Sequence, residues 1–300
     1  MRLFLIGGVE NDPDDYQSLE AIKTYLQDTL GRESEVHAVH MDKLVFTVSE
    51  QGSSFVDGTT GMGVEEFDAV FIRGPKMRIH SAYAQYVSSI CSALGKPCVN
   101  SYEIYYSGTK FAQVNLFAKL GIPFPKTEYS VNKQLLISRA AETLGYPYIL
   151  KTNVGSHGDS NYLIKSEQDA SEALAAEPNV DFLAQEFCPN DRDYRLLLVG
   201  DDQLLFERSG SSDSHINNTS RGGEATHILS DTLPAEIVQK ARELAEYLGL
   251  HIAGVDIMPH LETGKLYFLE INSQPQLRTG ALLDEKQQLI KNFLNTFGQD

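Results

Sequence analysis

A mixed α/β fold, with an N-terminal parallel α/β domain followed by two further α+β lobes, is predicted by three features of the sequence. Short apolar runs alternate with helical patterns over roughly the first hundred residues, the signature of a parallel sheet with crossover helices. After about residue 105 the pattern shifts to a compact set of helix, strand, helix and strand. The last third carries a two-stranded meander, a long amphipathic helix and two apolar strands. These shifts divide the chain into expected domains at 1–105, 106–184 and 185–300.

The first run, residues 3–8, is an apolar strand ending in Gly7-Gly8. A helix follows over about 16–29, with Leu19, Ile22, Leu26 and Leu30 on one face. Residues 35–41 and 67–74 read as further strands, and KLVFTV with its polar and glycine-rich sequel as a hairpin or loop. Residues 82–94 are helical and 96–100 form another short strand. Gly7-Gly8 lacks the rest of a GxGxxG fingerprint, so a tight turn is favoured over a dinucleotide site.

Residues 107–121 form a helix with a glycine stop, and IPFPKTEYSV an extended connection. A helix at 133–145 leads into YPYILK, a strand ending at Lys151, and a helix at 167–176 leads into the strand DFLAQEF. Residues 193–209 are a meander turning at Gly200-Asp201-Asp202. Residues 234–249 are a helix opened by Pro234 and closed by Gly249. The strands AGVDIM and LYFLEIN are joined by HLETGK.

Composition bounds the function. Three hundred residues can bury a sizeable core, and no apolar run approaches membrane length. Three scattered cysteines, Cys91, Cys98 and Cys188, with no CxxC pair, fit a reducing cytoplasm and argue against zinc. A net charge of −16 repels polyphosphate backbones, so no nucleic-acid partner is expected, although acidity reads equally well as solubility alone; without a membrane-length apolar run no membrane partner is expected either.

Chemistry concentrates in the second half. Glu270 and Asn272 are two apart on one strand and therefore share a face, and Asp256 sits on the predicted neighbouring strand. Two carboxylates and an amide oxygen are hard ligands, suited to magnesium held together with nucleotide phosphates. The alternative, an outward polar face, is weakened because Val255, Ile257, Leu269 and Ile271 are apolar. Lys151 at a strand end, before a segment containing Gly155, Ser156, His157 and Gly158, can reach phosphate oxygens. Without GK[ST], an ordinary strand-to-turn reads equally well. The strand edge at Gln185, Glu186 and Phe187 can bond an adenine through its backbone. Asp193 can take ribose hydroxyls, or serve only as a turn residue. Arg195, Arg208 and Arg221 can neutralise a transferring phosphoryl group, or pair on the surface.

Taken together, Lys110, LKTNVGSHG, AQEF…DYRLLLVG, INNTSRGGEA, AGVDIM and YFLEINSQP resemble, in content and order, the ATP-grasp ligases. Their RimK-like branch is the nearest likeness, over about residues 100–280. The resemblance implies an ATP-grasp fold preceded by an α/β domain, with ATP and Mg2+ (or Mn2+) as cofactors. It implies ATP contacts from Lys110, Lys151, the Gly155–Gly158 loop, Gln185, Glu186, Phe187 and Asp193. Metal ligation would fall to Asp256, Glu270 and Asn272, while Asn218 and Arg221 would lie beside the γ-phosphate and the reacting carboxylate, and Arg195 and Arg208 match catalytic positions lining the same cleft. The implied reaction joins a carboxylate to an amine through an acylphosphate, with small-molecule or peptide substrates, and homo-oligomers are common in such enzymes. His157 and Ser160 depart from the family loop, and Ser209 and Ile216 from the ribosomal-protein branch, which leaves the acceptor open. Arg73 is a further candidate carboxylate contact. A carboxylase or thiol-linking variant and a nucleotide-binding regulatory module are the competing readings. A nicotinamide oxidoreductase lacks its fingerprint.

Overall fold

The computed structural model describes residues 1–10, 19–73, 78–102, 108–154, 161–209, 224–228 and 232–298. The N-terminal sheet contains β1 (Arg2–Gly7), β2 (Glu35–His40), β5 (Ala69–Ile72) and β6 (Cys98–Val99), in the order β2-β1-β5-β6 and parallel throughout. Between them, β3 (Leu44–Ser49) and β4 (Gly52–Asp57) pair as an antiparallel hairpin. Helices α1 (Leu19–Leu30) and α2 (Arg78–Ala93) complete this region. Alternation decides which helix each residue meets: Leu3 and Leu5 pack with the α1 stripe, whereas Phe4 and Ile6 pack with Ala84, Val87 and Ile90 of α2. With both faces covered, the strands have to be continuously apolar, as the sequence reads. α2 begins four residues earlier than the apolar spacing predicts.

The middle lobe begins beyond α3 (Lys110–Lys119), with β7 (Thr127–Tyr129), α4 (Lys133–Thr143), β8 (Tyr148–Thr152), β9 (Asn161–Ile164), α5 (Glu167–Ala176) and β10 (Phe182–Glu186). Its antiparallel sheet runs β7-β10-β8-β9, and Leu136, Ile137, Ala140, Ala170 and Leu174 of α4 and α5 seal one face. Asn132 and Ser166 cap the two helices by accepting from their first-turn N–H groups.

The C-terminal sheet holds β11 (Arg192–Val199), β12 (Asp202–Ser209), β13 (Glu224–Ile228), β14 (Ile252–Pro259) and β15 (Leu266–Asn272), in the order β13-β12-β11-β14-β15 and antiparallel throughout. α6 (Ala235–Tyr247) and α3 cover the face carrying Leu196, Leu198, Val255 and Ile257. The opposite face is apolar at Leu197, Val199 and Phe206, where α7 (Leu283–Asn295) packs it against α1 and the N-terminal sheet. Its other half, toward Asp193 and Asp256, is polar and looks into the cleft below the middle lobe.

Asn100 joins the first and last sheets. Its Nδ2 donates to the carbonyls of Ile252 and Ser273 at 3.1 Å each, and its Oδ1 accepts from Ile252 N at 2.9 Å. Its own N–H donates to His251 Nδ1 at 3.0 Å, and burial holds that imidazole below its ordinary pKa, in the neutral form that can accept. The residue is fully buried and left-handed, with φ of 58°, a conformation Asn tolerates better than most residues. Replacing Asn100 with alanine strands buried backbone groups and is expected to lower unfolding stability by about 3 kcal/mol, read from urea denaturation. No helix among the described residues is long and apolar enough to cross a membrane.

Candidate active site

The polar half of the C-terminal sheet is assembled by register. Asp256 on β14 stands opposite Arg195 on β11 and Glu270 on β15, and Gly254 stands opposite Asn272. A bulge at Asp256/Ile257 breaks the β14–β15 register, so Phe268 and Ile271 both pack into the core while Glu270 between them keeps the cleft face. On the other side of β11, Asp193 faces Arg208 of β12.

These side chains form a charged mesh. Arg195 grips Asp256 through two bonds, one of them Nη2 to Oδ2 at 2.8 Å. Arg208 donates to Asp193 at 2.5 Å and lies 3.2 Å from Asp256. Burial lifts the Asp193 carboxyl to about 6 even though Arg208 opposes it. Burial works against the Arg208 charge, but Asp256 and Asp193 more than offset it, so this guanidinium stays protonated. Asp193 is thus nearly buried within the ion-pair mesh, not in an exposed turn.

The other wall carries two lysines. Lys151 at the end of β8 is buried, and its ammonium donates to Gln185 Oε1 at 2.7 Å. Gln185 in turn donates to Thr127 Oγ1 at 2.9 Å, so among the described residues the ammonium's hydrogen-bond partner is a neutral amide held in place. Burial, then the nearby Lys110 charge, push Lys151 down to about 8, while Glu270 pulls the other way. Burial lowers Lys110 as well, again opposed by Glu270. Glu270 is raised by burial, with Asp256 adding to the rise and Lys110, Arg195 and Lys151 resisting it. These mutual effects place the two lysines and the Asp256–Glu270 pair around one cleft.

Asn153 ties the end of β8 to the start of α3. Its carbonyl accepts from Lys110 N and its Oδ1 from Phe111 N, both at 2.9 Å, while its Nδ2 donates to Asp181 at 2.8 Å. Together with Thr109, which caps Ala112 N, it satisfies the first donors of α3 and anchors Lys110 beside Lys151. Gln113 on the same helix accepts from Ile271 N at 2.8 Å, which covers the edge of β15 next to Glu270. Gly254 matters for its missing side chain: a Cβ would stand 3.1 Å from Arg195 Nη1 and 3.2 Å from Pro275 Cβ. Arg73 is buried and donates to the Pro275 carbonyl at 2.9 Å, which holds the segment after Asn272. The pattern reading passed over Asn153, Gln113 and Gly254. An Asn beside Lys151 and a Gly two residues before Asp256 were the available signals.

Glu186 is exposed and Phe187 half-buried at the end of β10. Gly155, Ser156, His157, Asn218 and Arg221 lie outside the described residues, as do Ser160 and Ile216. Among the described residues no three His, Cys, Asp or Glu side chains form a cage for a metal. The donor set nonetheless fits a hard dication shared with phosphates. Glu270 has its carboxyl raised by burial, Asp256 stands opposite it with its oxygens on Arg195 and Arg208, and Asn272 lies two residues on along the same strand, so all three carry oxygens of the hard type such a dication takes.

Comparison with known proteins comes to the same region. A family model described as RimK-like ATP-grasp domain matches residues 107–292. A probable alpha-L-glutamate ligase of Cellvibrio japonicus (strain Ueda107) is 30% identical over 227 residues, 72% of each chain. Among solved structures, the macrocyclase MdnC of Microcystis aeruginosa MRC, bound with precursor peptide MdnA, aligns over 98% of this chain and 100% of its own, with TM-score 0.67 and 15% identity. D-alanine–D-alanine ligase of Bacillus anthracis, complexed with ATP, aligns over 100% of this chain and 98% of its own, with TM-score 0.65 and 16% identity.

Proposed function

Because the chain belongs to the RimK-like ATP-grasp family, we propose that it activates a carboxylate as an acylphosphate and passes the acyl group to an amine. As a member it is an ADP-forming ligase that makes carbon–nitrogen bonds at the expense of ATP. The observation that carries the finer reading is the cleft itself. Lys151 is buried with a neutral amide as its hydrogen-bond partner, and its charge and that of Lys110 are felt by the Glu270 carboxylate, which stands opposite Asp256.

The phosphates are assigned to the lysine side, where Lys110 and Lys151 neutralise the chain of the nucleotide. Gln185, Glu186 and Phe187 are assigned to the adenine and Asp193 to the ribose. Asp256, Glu270 and Asn272 would hold magnesium or manganese, which when bound supplies charge neutralisation to the phosphates. Arg195 and Arg208 hold Asp256 in place and, with Asn218 and Arg221, are assigned to the reacting carboxylate and the transferring phosphoryl group. The substrate carboxylate oxygen attacks the γ-phosphorus, the bond to ADP breaks, and an amine then displaces phosphate to leave an amide. No side-chain nucleophile enters. The glutamate ligase name of the Cellvibrio relative makes glutamate the first substrate to try, as free amino acid or at a peptide end.

A screen of ADP and phosphate release with pooled amino acids and dipeptides tests this reading. Turnover is expected only where a carboxylate and an amine are both present. Release driven by bicarbonate or coenzyme A alone would name a different acceptor, and no release in any pool would favour a binding module.

A further inference from the structure

The cleft makes no use of the outer face of α2. The inner side of this helix, Ala84, Val87, Ile90 and Cys91, packs with the N-terminal sheet. A surface helix ordinarily turns charged residues to the solvent on its other side. Here Ala82, Tyr86, Ser89 and Ala93 fall on one outward stripe at helical spacing, and none is charged. Tyr86 is 54% exposed, and Leu94, just beyond the helix, is 43% exposed. The chain has 41 acidic residues, yet none falls between Ala69 and Tyr102.

The β3–β4 hairpin continues this surface. The Phe46 ring of β3 lies 6.3 Å from Tyr83 and 6.1 Å from Tyr86, and the two tyrosines meet edge to face at 6.2 Å. Val48, two residues further along β3 and so on the same face as Phe46, is 77% exposed. The Tyr86 ring is therefore open to solvent yet held by two neighbours, which lowers the ordering cost when a partner covers it. Exposed aromatic rings without charges around them are the composition of the centre of a protein–protein contact. The sixteen residues of α2 span about 24 Å. The hairpin widens that strip toward the roughly 800 Å² that each partner gives to a stable interface.

We propose that α2 and the hairpin beside it dock a second copy of this chain, as a two-fold dimer with the two α2 helices antiparallel. Two features select a second copy. Each copy carries a net charge of −16, so two copies repel over most of their surfaces and can approach across a face free of carboxylates. A strongly charged partner of another kind would find no counter-charge on this stripe. The stripe is also complementary to itself. Run antiparallel about a point midway between Tyr86 and Ser89, it sets Tyr86 over the partner's Ser89 and Ala82 over the partner's Ala93, each pair occurring twice. A large ring then meets a small side chain at the centre, and small meets small at both ends, so the helices can pack closely.

Sedimentation of the full chain over a range of concentrations tests this, and it needs no substrate, so its outcome is separate from that of the ligase reading. The wild type is expected to form dimers. Its dissociation constant should fall as salt rises, because salt screens the repulsion between like-charged copies and leaves the apolar contact intact. Ser89→Glu and Ala82→Glu should each raise that constant at least about tenfold, since each buries an unpaired carboxylate in the contact. Adding Ala93→Lys to the Ala82→Glu chain should recover most of the loss, because the antiparallel register sets each new lysine against the new glutamate of the other copy. Thermal unfolding at concentrations below dissociation checks that each variant monomer is folded; Ser89, exposed in the single chain, is the position where a charge disturbs the fold least. A wild type that stays monomeric at its highest soluble concentration would overturn the proposal. So would a dimer that survives both glutamate substitutions, one that weakens as salt rises, or an Ala82→Glu defect that Ala93→Lys does not relieve.

Discussion

Glu270→Gln is expected to lower kcat by at least about a thousandfold while the protein stays folded. The substitution keeps the side chain's size and removes the carboxylate whose charge acts on both lysines and which stands directly across from Asp256. The stability sign supports reading any loss as chemical. Burial raises the Glu270 pKa in the folded state, so the charged form weakens the fold above that value. Stability of the wild type should therefore increase as pH falls through the raised folded value toward the unfolded one. The glutamine variant lacks the charge, so its Tm near neutral pH should equal or exceed that of the wild type. Thermal denaturation and steady-state turnover, run on one preparation, separate the two effects. A variant that keeps its turnover would remove Glu270 from the chemistry.

Lys151→Met should produce the second large effect, a loss of at least about a hundredfold in kcat/KM for ATP. The wild-type pH dependence carries the same information. Burial and Lys110 hold Lys151 at about 8, well below the ordinary lysine value. Between about 8 and the unfolded pKa, the unfolded chain holds a proton that the folded protein does not, so fold stability rises with pH across that window. Nucleotide binding runs the other way, because a phosphate opposite Lys151 favours its charged form. ATP binding should take up a proton above about pH 8, and KM for ATP should climb there. Titration calorimetry in buffers of different ionisation enthalpy measures that uptake. Lys151→Met should show a flatter profile over the same range.

Much of this architecture is legible in the residues. The parallel N-terminal sheet is announced by runs such as LFLI and AVFI, which need cover on both faces and receive it from α1 and α2. Period-two spacing puts Glu270 and Asn272 on one face, and the register brings Asp256 opposite Glu270. The bulge that keeps Glu270 in the cleft has no signal of its own in LYFLEIN. The sequence reading stops at Asn272, and α7 lies beyond it. Its apolar stripe, Leu289, Ile290, Phe293 and Leu294, is regular, but it starts from left-handed Leu282 without a capping side chain, so the usual start signal is missing. The residues that tie the elements around the cleft to one another are least readable. Asn153, Gln113 and Asn100 act through partners between 28 and 173 positions away, and local pattern carries no trace of such pairing. The ion-pair mesh is similar: the Asp193 and Arg208 side chains are 15 positions apart, and only the meander's register reveals that they meet.

The central claim is transfer of the γ-phosphoryl group to a substrate carboxylate, and an oxygen-transfer experiment addresses it most directly. The donor carboxylate is labelled with 18O, the reaction is run with ATP and the acceptor amine, and the released phosphate is analysed by mass. Passage through an acylphosphate predicts one labelled oxygen in each phosphate, since the bond broken by the amine leaves the carboxylate oxygen on phosphorus. Phosphate released at the same rate without label would contradict the account.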